Sequence, residues 1–187
     1  MAISKLHHGQ RLYNANYIPG NGPIPSLVML IGEAPGRNED HEGKPFVGRA
    51  GQLLDAELYI AGMPRHTVYV TNAVKCRPPA NRKPTTEEIM YHRPYLLREL
   101  QAVAPRVIVT LGATAFEGLI GRVPNESIFN IRKRIIRFKG IRVIPTYHPA
   151  STFHDISYLS TIKADLKKAK EVLKWQELET SFLKTQK

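Results

Sequence analysis

One cysteine in 187 residues cannot close an intramolecular disulfide. That removes the disulfide-stapled secreted scaffolds and suits a reducing compartment. No apolar run approaches the roughly 20 residues that cross a bilayer, and the start of the chain, Met1 to His8, holds no apolar leader core. A cytoplasmic protein is expected. Acidic residues are the scarce charge, 16 Asp and Glu against 27 Lys and Arg, for a formal net charge of +11. The excess is spread along the chain rather than gathered in a tail. It predicts a charged face for a polyanion, nucleic acid first, rather than a disordered arm. Repeats and low-complexity tracts are missing too. With 42% hydrophobic residues, the chain is long enough to bury a core, so one domain spanning 1–187 is expected.

What is present alternates between short apolar runs and helical periods. Leu27 to Ile31 reads as a buried strand, Gly51 to Gly62 as a helix stopped by its glycine with Pro64 beyond. Thr67 to Thr71 is β-branched and aromatic, a second strand. Thr85 and Thr86 before Glu87 and Glu88 predict a capped helix running to about Val103. Arg106 to Leu111 reads as a central strand, residues 112–120 as a short helix, and 121–133 as a loop. Two short strands flank Lys139 and Gly140. Residues 1–25 form an N-terminal helix and turn segment. A C-terminal helix occupies 157–187, its pattern clearest to Leu178, with Leu159, Ile162, Leu166, Ala169, Leu173 and Trp175 as its core stripe. This order predicts an α/β fold, a three-layer α/β/α sandwich around a mainly parallel four-stranded sheet.

Three strands run straight into chemistry-bearing turns. The first enters Gly32-Glu33-Ala34-Pro35-Gly36, followed by Lys44-Pro45-Phe46-Val47-Gly48-Arg49-Ala50-Gly51. The second enters Asn72-Ala73-Val74-Lys75-Cys76-Arg77-Pro78-Pro79. The last enters Tyr147-His148-Pro149-Ala150. All three turns belong at the carboxyl edge of the sheet, where open α/β folds bind ligands.

These blocks, in this order and spacing, resemble the uracil-DNA glycosylase superfamily, most closely its family 4. The resemblance covers nearly the whole chain. It implies excision of uracil from DNA by hydrolysis of the N-glycosidic bond after base flipping, leaving an abasic site for base excision repair. It also implies roles. Glu33 and His148 are the catalytic candidates. Phe46 stacks on the flipped base, Asn72 reads its edge, and Gly32, Ala34, Pro35 and Gly36 shape the pocket. Arg49, Arg77, Arg82 and Lys83, with Pro149, Ala150, Ser151 and the wedge candidate Phe153, face DNA. The implied partner is uracil-containing DNA, met by a monomer; a replication or repair protein as second partner is left unidentified.

Family 4 also implies a four-iron cluster on four cysteines. Here the corresponding positions fall near Lys5 and His8, at Cys76 and at His92, so one thiolate of four is present and no cluster is expected. Two arrangements remain open. Zinc on His8, Cys76 and His92, with His7 or water, is one. Ordinary packing without any metal is the other, favoured by Lys5 and the irregular spacing. Other functions also remain open. Gly36, small where some relatives carry a tyrosine, suggests excision of a 5-substituted uracil or a deaminated purine, and the missing cluster suggests a catalytically weak DNA-binding module.

Overall fold

Val28–Gly32, strand β1, is buried along its whole length, as a strand covered on both faces must be. In the computed structural model, which describes residues 15–121, 126–134 and 136–185, β1 pairs in parallel with β2 (Tyr69–Asn72) on one side and β3 (Val107–Leu111) on the other. β5 (Ile141–Thr146) joins β3 in parallel, and β4 (Ile136–Phe138) joins β5 antiparallel, for the order β2-β1-β3-β5-β4. The sheet thus has five strands rather than the expected four. The extra strand is the outer arm of a hairpin whose turn residues, Lys139 and Gly140, both have positive φ, 49° and 83°, the twist that favours a tight two-residue hairpin.

Successive side chains along the strands enter opposite layers. On one face Leu30, Val70 and Val109 pack with Leu54 and Leu58 of α2 (Arg49–Ile60) and with Ile162, Leu166 and Leu173 of α6 (Tyr158–Thr185). On the other, Met29, Ile31 and Ile108 pack with Leu96 and Leu100 of α3 (Thr86–Val103) and Phe116 and Leu119 of α4 (Ala113–Ile120). The helix α3 starts as its sequence demands. The Thr85 hydroxyl accepts from Glu88 N at 3.3 Å and the Glu88 carboxylate accepts from Thr85 N at 2.9 Å, a reciprocal cap.

Two short helices have no counterpart among the expected elements. α1 (Arg37–Glu42) buries no residue and exists between its caps, Gly36 and a left-handed Gly43. α5 (Ile128–Ile131) lies inside the expected 121–133 loop, its start capped by Ser127. Trp175, expected in the core stripe of α6, is 68% exposed.

The N-terminal segment expected over residues 1–25 is described from Ala15. It runs as a strap along β2, with Tyr17 bridging Cys76 and Asn21 bridging Val70. Asn21 and Val70 exchange backbone hydrogen bonds of 2.8 and 2.9 Å, and Ile18 N donates to Lys75 O at 2.7 Å.

From β1 the chain winds outward to β2 and, in the other direction, to β3 and β5. The connections therefore part between β1 and β3, at the carboxyl edge. This is the switch point where doubly wound sheets bind ligands.

Candidate active site

A cavity of about 460 Å³ opens at that edge, with Glu33, Phe46, Asn72 and His148 on its walls. Gly32, expected to shape the pocket, is not itself among the lining residues but lies behind two of them. A Cβ on Gly32 would collide with both Asn72 Oδ1 and the Phe46 ring, so only glycine lets these two side chains converge. Backbone bonds then lock the first turn to the second: Ala73 N donates to Gly32 O at 2.8 Å and Val74 N to Glu33 O at 3.0 Å.

Phe46 adopts left-handed backbone, φ 57°, a conformation costly for an aromatic residue and kept only where its surroundings enforce it. Three constraints do so. The Glu39 Oε1 accepts from Val47 N and Gly48 N at 3.0 and 2.9 Å. The Arg65 guanidinium donates to Pro45 O at 3.1 Å. Gly51 leaves room for the Phe46 backbone, which a Cβ there would strike. The ring is thereby held 5.8 Å from the His148 ring at an interplanar angle of 29°.

Asn72 is 3% exposed, and its Oδ1 has no hydrogen-bond partner among the described residues. An unmatched buried amide oxygen at a cavity wall is a group prepared for a ligand. His148 Nδ1 accepts from Ala150 N at 3.2 Å. A nitrogen that accepts carries no proton, so the neutral ring bears its proton on Nε2. Burial pushes the His148 imidazole below the usual histidine range, a shift only partly opposed by Glu33 and Glu39. The ring is therefore neutral at pH 7. Opposite it, Glu33 Oε2 accepts from the Thr114 hydroxyl at 2.6 Å.

Ala34, Pro35, Gly36, Arg82, Ala150 and Ser151 also line the cavity. Gly36 N donates to Glu39 Oε2 at 3.0 Å. A Cβ on Gly36 would lie 2.8 Å from that oxygen. Gly36 and Glu39 thus line the cavity side by side. Arg82, read as a phosphate contact, is held in a two-point pair with Glu88 at 2.9 and 2.5 Å, so it braces the proline loop. Arg77 donates to Asn81 Oδ1 at 2.6 Å in that loop, and Lys83 is exposed beside it. Pro149 is buried in the turn after His148. Phe153 is 46% exposed, with the Arg49 guanidinium 4.6 Å from its ring centre, which couples two DNA-facing candidates by cation–π attraction.

Glu39 and Thr114 had no assigned role in the sequence. Glu39 sits in the first block, three residues after Gly36, at capping-box spacing. Thr114 follows a glycine at a strand-to-helix junction, and nothing local points it at Glu33.

The cluster-cysteine region is built differently. Lys75 Nζ, fully buried, donates to Glu99 Oε2 and to Thr71 Oγ1, both at 2.6 Å. Glu99 Oε1 accepts from Gly20 N at 2.9 Å, which fastens the strap. Cys76 is buried, Tyr17 packs edge-on against Tyr95 at 6.0 Å, and His92 Nδ1 lies 3.0 Å from Glu88 O. A four-thiolate cluster does not fit a chain with one cysteine. His8, Lys5 and His7 lie outside the described residues. Among those described, no three His, Cys, Asp or Glu side chains gather as metal ligands.

The profile of the Uracil DNA glycosylase superfamily matches residues 19–178. The chain is 41% identical over 168 residues to the type-4 uracil-DNA glycosylase of Saccharolobus solfataricus, spanning 86% of this chain and 78% of that protein. With the type-4 uracil-DNA glycosylase of Archaeoglobus fulgidus it shares 40% identity over 163 residues, 84% of this chain and 82% of the relative. A DNA polymerase of Bacillus phage SP01 matches over 155 residues at 27% identity, 82% of this chain but 16% of the polymerase. The chain belongs to the uracil-DNA glycosylase superfamily. Within it, the similarity runs to the type-4 branch.

Proposed function

We propose that the protein is a monofunctional uracil-DNA glycosylase of type-4 kind that works without the iron–sulfur cluster. The observation that carries this reading is the convergence of Glu33, Phe46, Asn72 and His148, from three separate strand ends, on one cavity. The base enters unstacked from the duplex, because a glycosylase cannot reach its bond inside the helix. Phe46 supplies a flat face fixed before the base arrives. The Asn72 amide pairs with O4 and N3–H of uracil. Cytosine presents the opposite donor and acceptor there and leaves buried groups unmatched, at about 1–3 kcal/mol each.

As the C1′–N1 bond breaks, its electron pair leaves with uracil and negative charge gathers on O2. The Nε2–H of neutral His148 donates to that oxygen, a fixed donor aimed at charge that develops only in the transition state. Glu33 faces the sugar cation. It orients the water whose oxygen bonds C1′ and takes the proton the water gives up, as carboxylates do at oxocarbenium-like centres. No lysine lines the cavity among the described residues, which supports hydrolysis without a covalent imine or strand cleavage. The turn from His148 to Phe153 and the Arg49 guanidinium face DNA, with Phe153 as the wedge that holds the gap. The protein acts as an intracellular monomer on uracil-containing DNA. Among the described residues no helix is long and apolar enough to cross a membrane.

Excision from an oligonucleotide with a single uracil, read by alkaline cleavage at the abasic site, tests the activity, with iron and zinc measured on the same preparation. Cleavage by iron-free protein is expected. Tight, salt-sensitive DNA binding without cleavage would replace this reading by a binding module on the same fold.

A further inference from the structure

The switch point brings together two junctions far apart in sequence. Glu33 leaves β1 and Thr114 opens α4 after β3, 81 positions later, yet their side chains meet at 2.6 Å. Thr114 is 1% exposed, and its hydroxyl points at a carboxylate on the cavity wall instead of back at its own helix. Among the described residues Glu33 has no other hydrogen-bond donor on its side chain, so Oε2 is engaged and Oε1 is left open. The same junction also touches the other catalytic candidate. Gly112, at φ 93°, donates its N–H to Thr146 O at 2.8 Å. A Cβ on it would lie 3.4 Å from His148 Cβ. A short piece of chain, Gly112 to Thr114, thus abuts the backbone side of His148 and grips one oxygen of Glu33.

We propose that Thr114 is the positioning residue of the Glu33 carboxylate, and that the β3–α4 junction sets the spacing between carboxylate and imidazole across the cavity. This rests on the role given to Glu33 above. A carboxylate on a flexible two-carbon stem samples several rotamers, and one short hydrogen bond to a buried hydroxyl removes most of them. The free oxygen then meets water and sugar in a single orientation, the preorganisation on which rate depends. Serine keeps the donor, whereas valine keeps the shape and removes it.

The test is single-turnover excision by Thr114→Val and Thr114→Ser, alone and combined with Glu33→Ala, beside the affinity for an oligonucleotide carrying a non-cleavable 2′-fluorinated uridine. Losing a hydrogen bond to a charged group predicts a roughly ten- to hundredfold slower T114V. Its affinity for the uncleavable DNA should be unchanged and T114S should recover most of the rate. In the E33A background T114V should cost nothing further. A T114V rate equal to wild type, beside a crippled E33A, overturns this inference alone, as does an equal loss in both backgrounds. Near-normal excision by E33A overturns the role of Glu33 and this inference with it. A loss of affinity parallel to the loss of rate assigns Thr114 to folding or binding and also overturns it.

Discussion

The end of β2 and the turn that follows it serve two regions with opposite chemistry. Asn72 faces the cavity, where an amide oxygen is buried without a partner. Three residues on, Lys75 faces the strap, where an ammonium is buried with every contact made inside the protein, on Glu99 and Thr71. The first region leaves polar capacity open for a substrate. The second closes it, and does so where relatives of the type are expected to carry metal. Rate belongs to the first and stability to the second, and substitutions on either side should separate the two.

The largest effect is expected at Lys75. Lys75→Met strands the Glu99 carboxylate in the core and should remove about 3–5 kcal/mol of unfolding free energy in urea, since breaking one side of a buried pair is worse than removing both. Lys75→Met combined with Glu99→Leu should recover much of it. A small loss in the single variant would show that the strap is anchored by other contacts.

Next comes His148. Replacement by alanine should slow single-turnover excision about 10²–10³-fold with the urea midpoint in place; a mild effect would take the developing charge away from this residue.

The second region also carries a pH signature. Burial pushes His92 down from 6.5 to about 4, with the Glu88 carbonyl opposing and Lys75 assisting. Above pH 6.5 the ring is neutral in both folded and unfolded chains. Between 6.5 and 4 only the unfolded chain takes up the proton, so stability is lost as the pH is lowered, by about 3 kcal/mol at the lower end. His92→Gln should flatten that slope in unfolding free energies measured across pH. An unchanged slope would assign it to other groups.

The smallest effect concerns selectivity. Asn72→Asp should narrow the ratio of uracil to cytosine excision by an amount worth about 1–3 kcal/mol; an unaltered ratio would move base reading to another residue.

Much of the site was legible because its signals are local. Apolar runs ending in Gly32, Asn72 and Tyr147-His148 mark strand ends, and turns at strand ends share an edge. What stayed hidden depends on contacts between distant residues. Thr114 reveals nothing until β3 lies beside β1, and Arg82 reads as a free cation until Glu88 turns toward it from α3. α1 escaped because a helix that buries nothing leaves no periodicity, and its caps are glycines that read equally well as a turn. β4 was legible as one of two short strands around Lys139 and Gly140, but the four-strand count left one strand out, because membership of the sheet rests on its antiparallel pairing with β5. Trp175 was misplaced because helical spacing alone does not say where a stripe leaves the sheet behind.

The strap has one more consequence. β2 is the outermost strand on its side of the sheet, and an uncovered edge offers its backbone to any passing strand. By exchanging hydrogen bonds with Val70 and donating to Lys75 O, residues 17–21 occupy those positions first. Detaching the strap would thus expose a template for intermolecular β-pairing, so its buried anchor at Glu99 also guards the solubility of the protein.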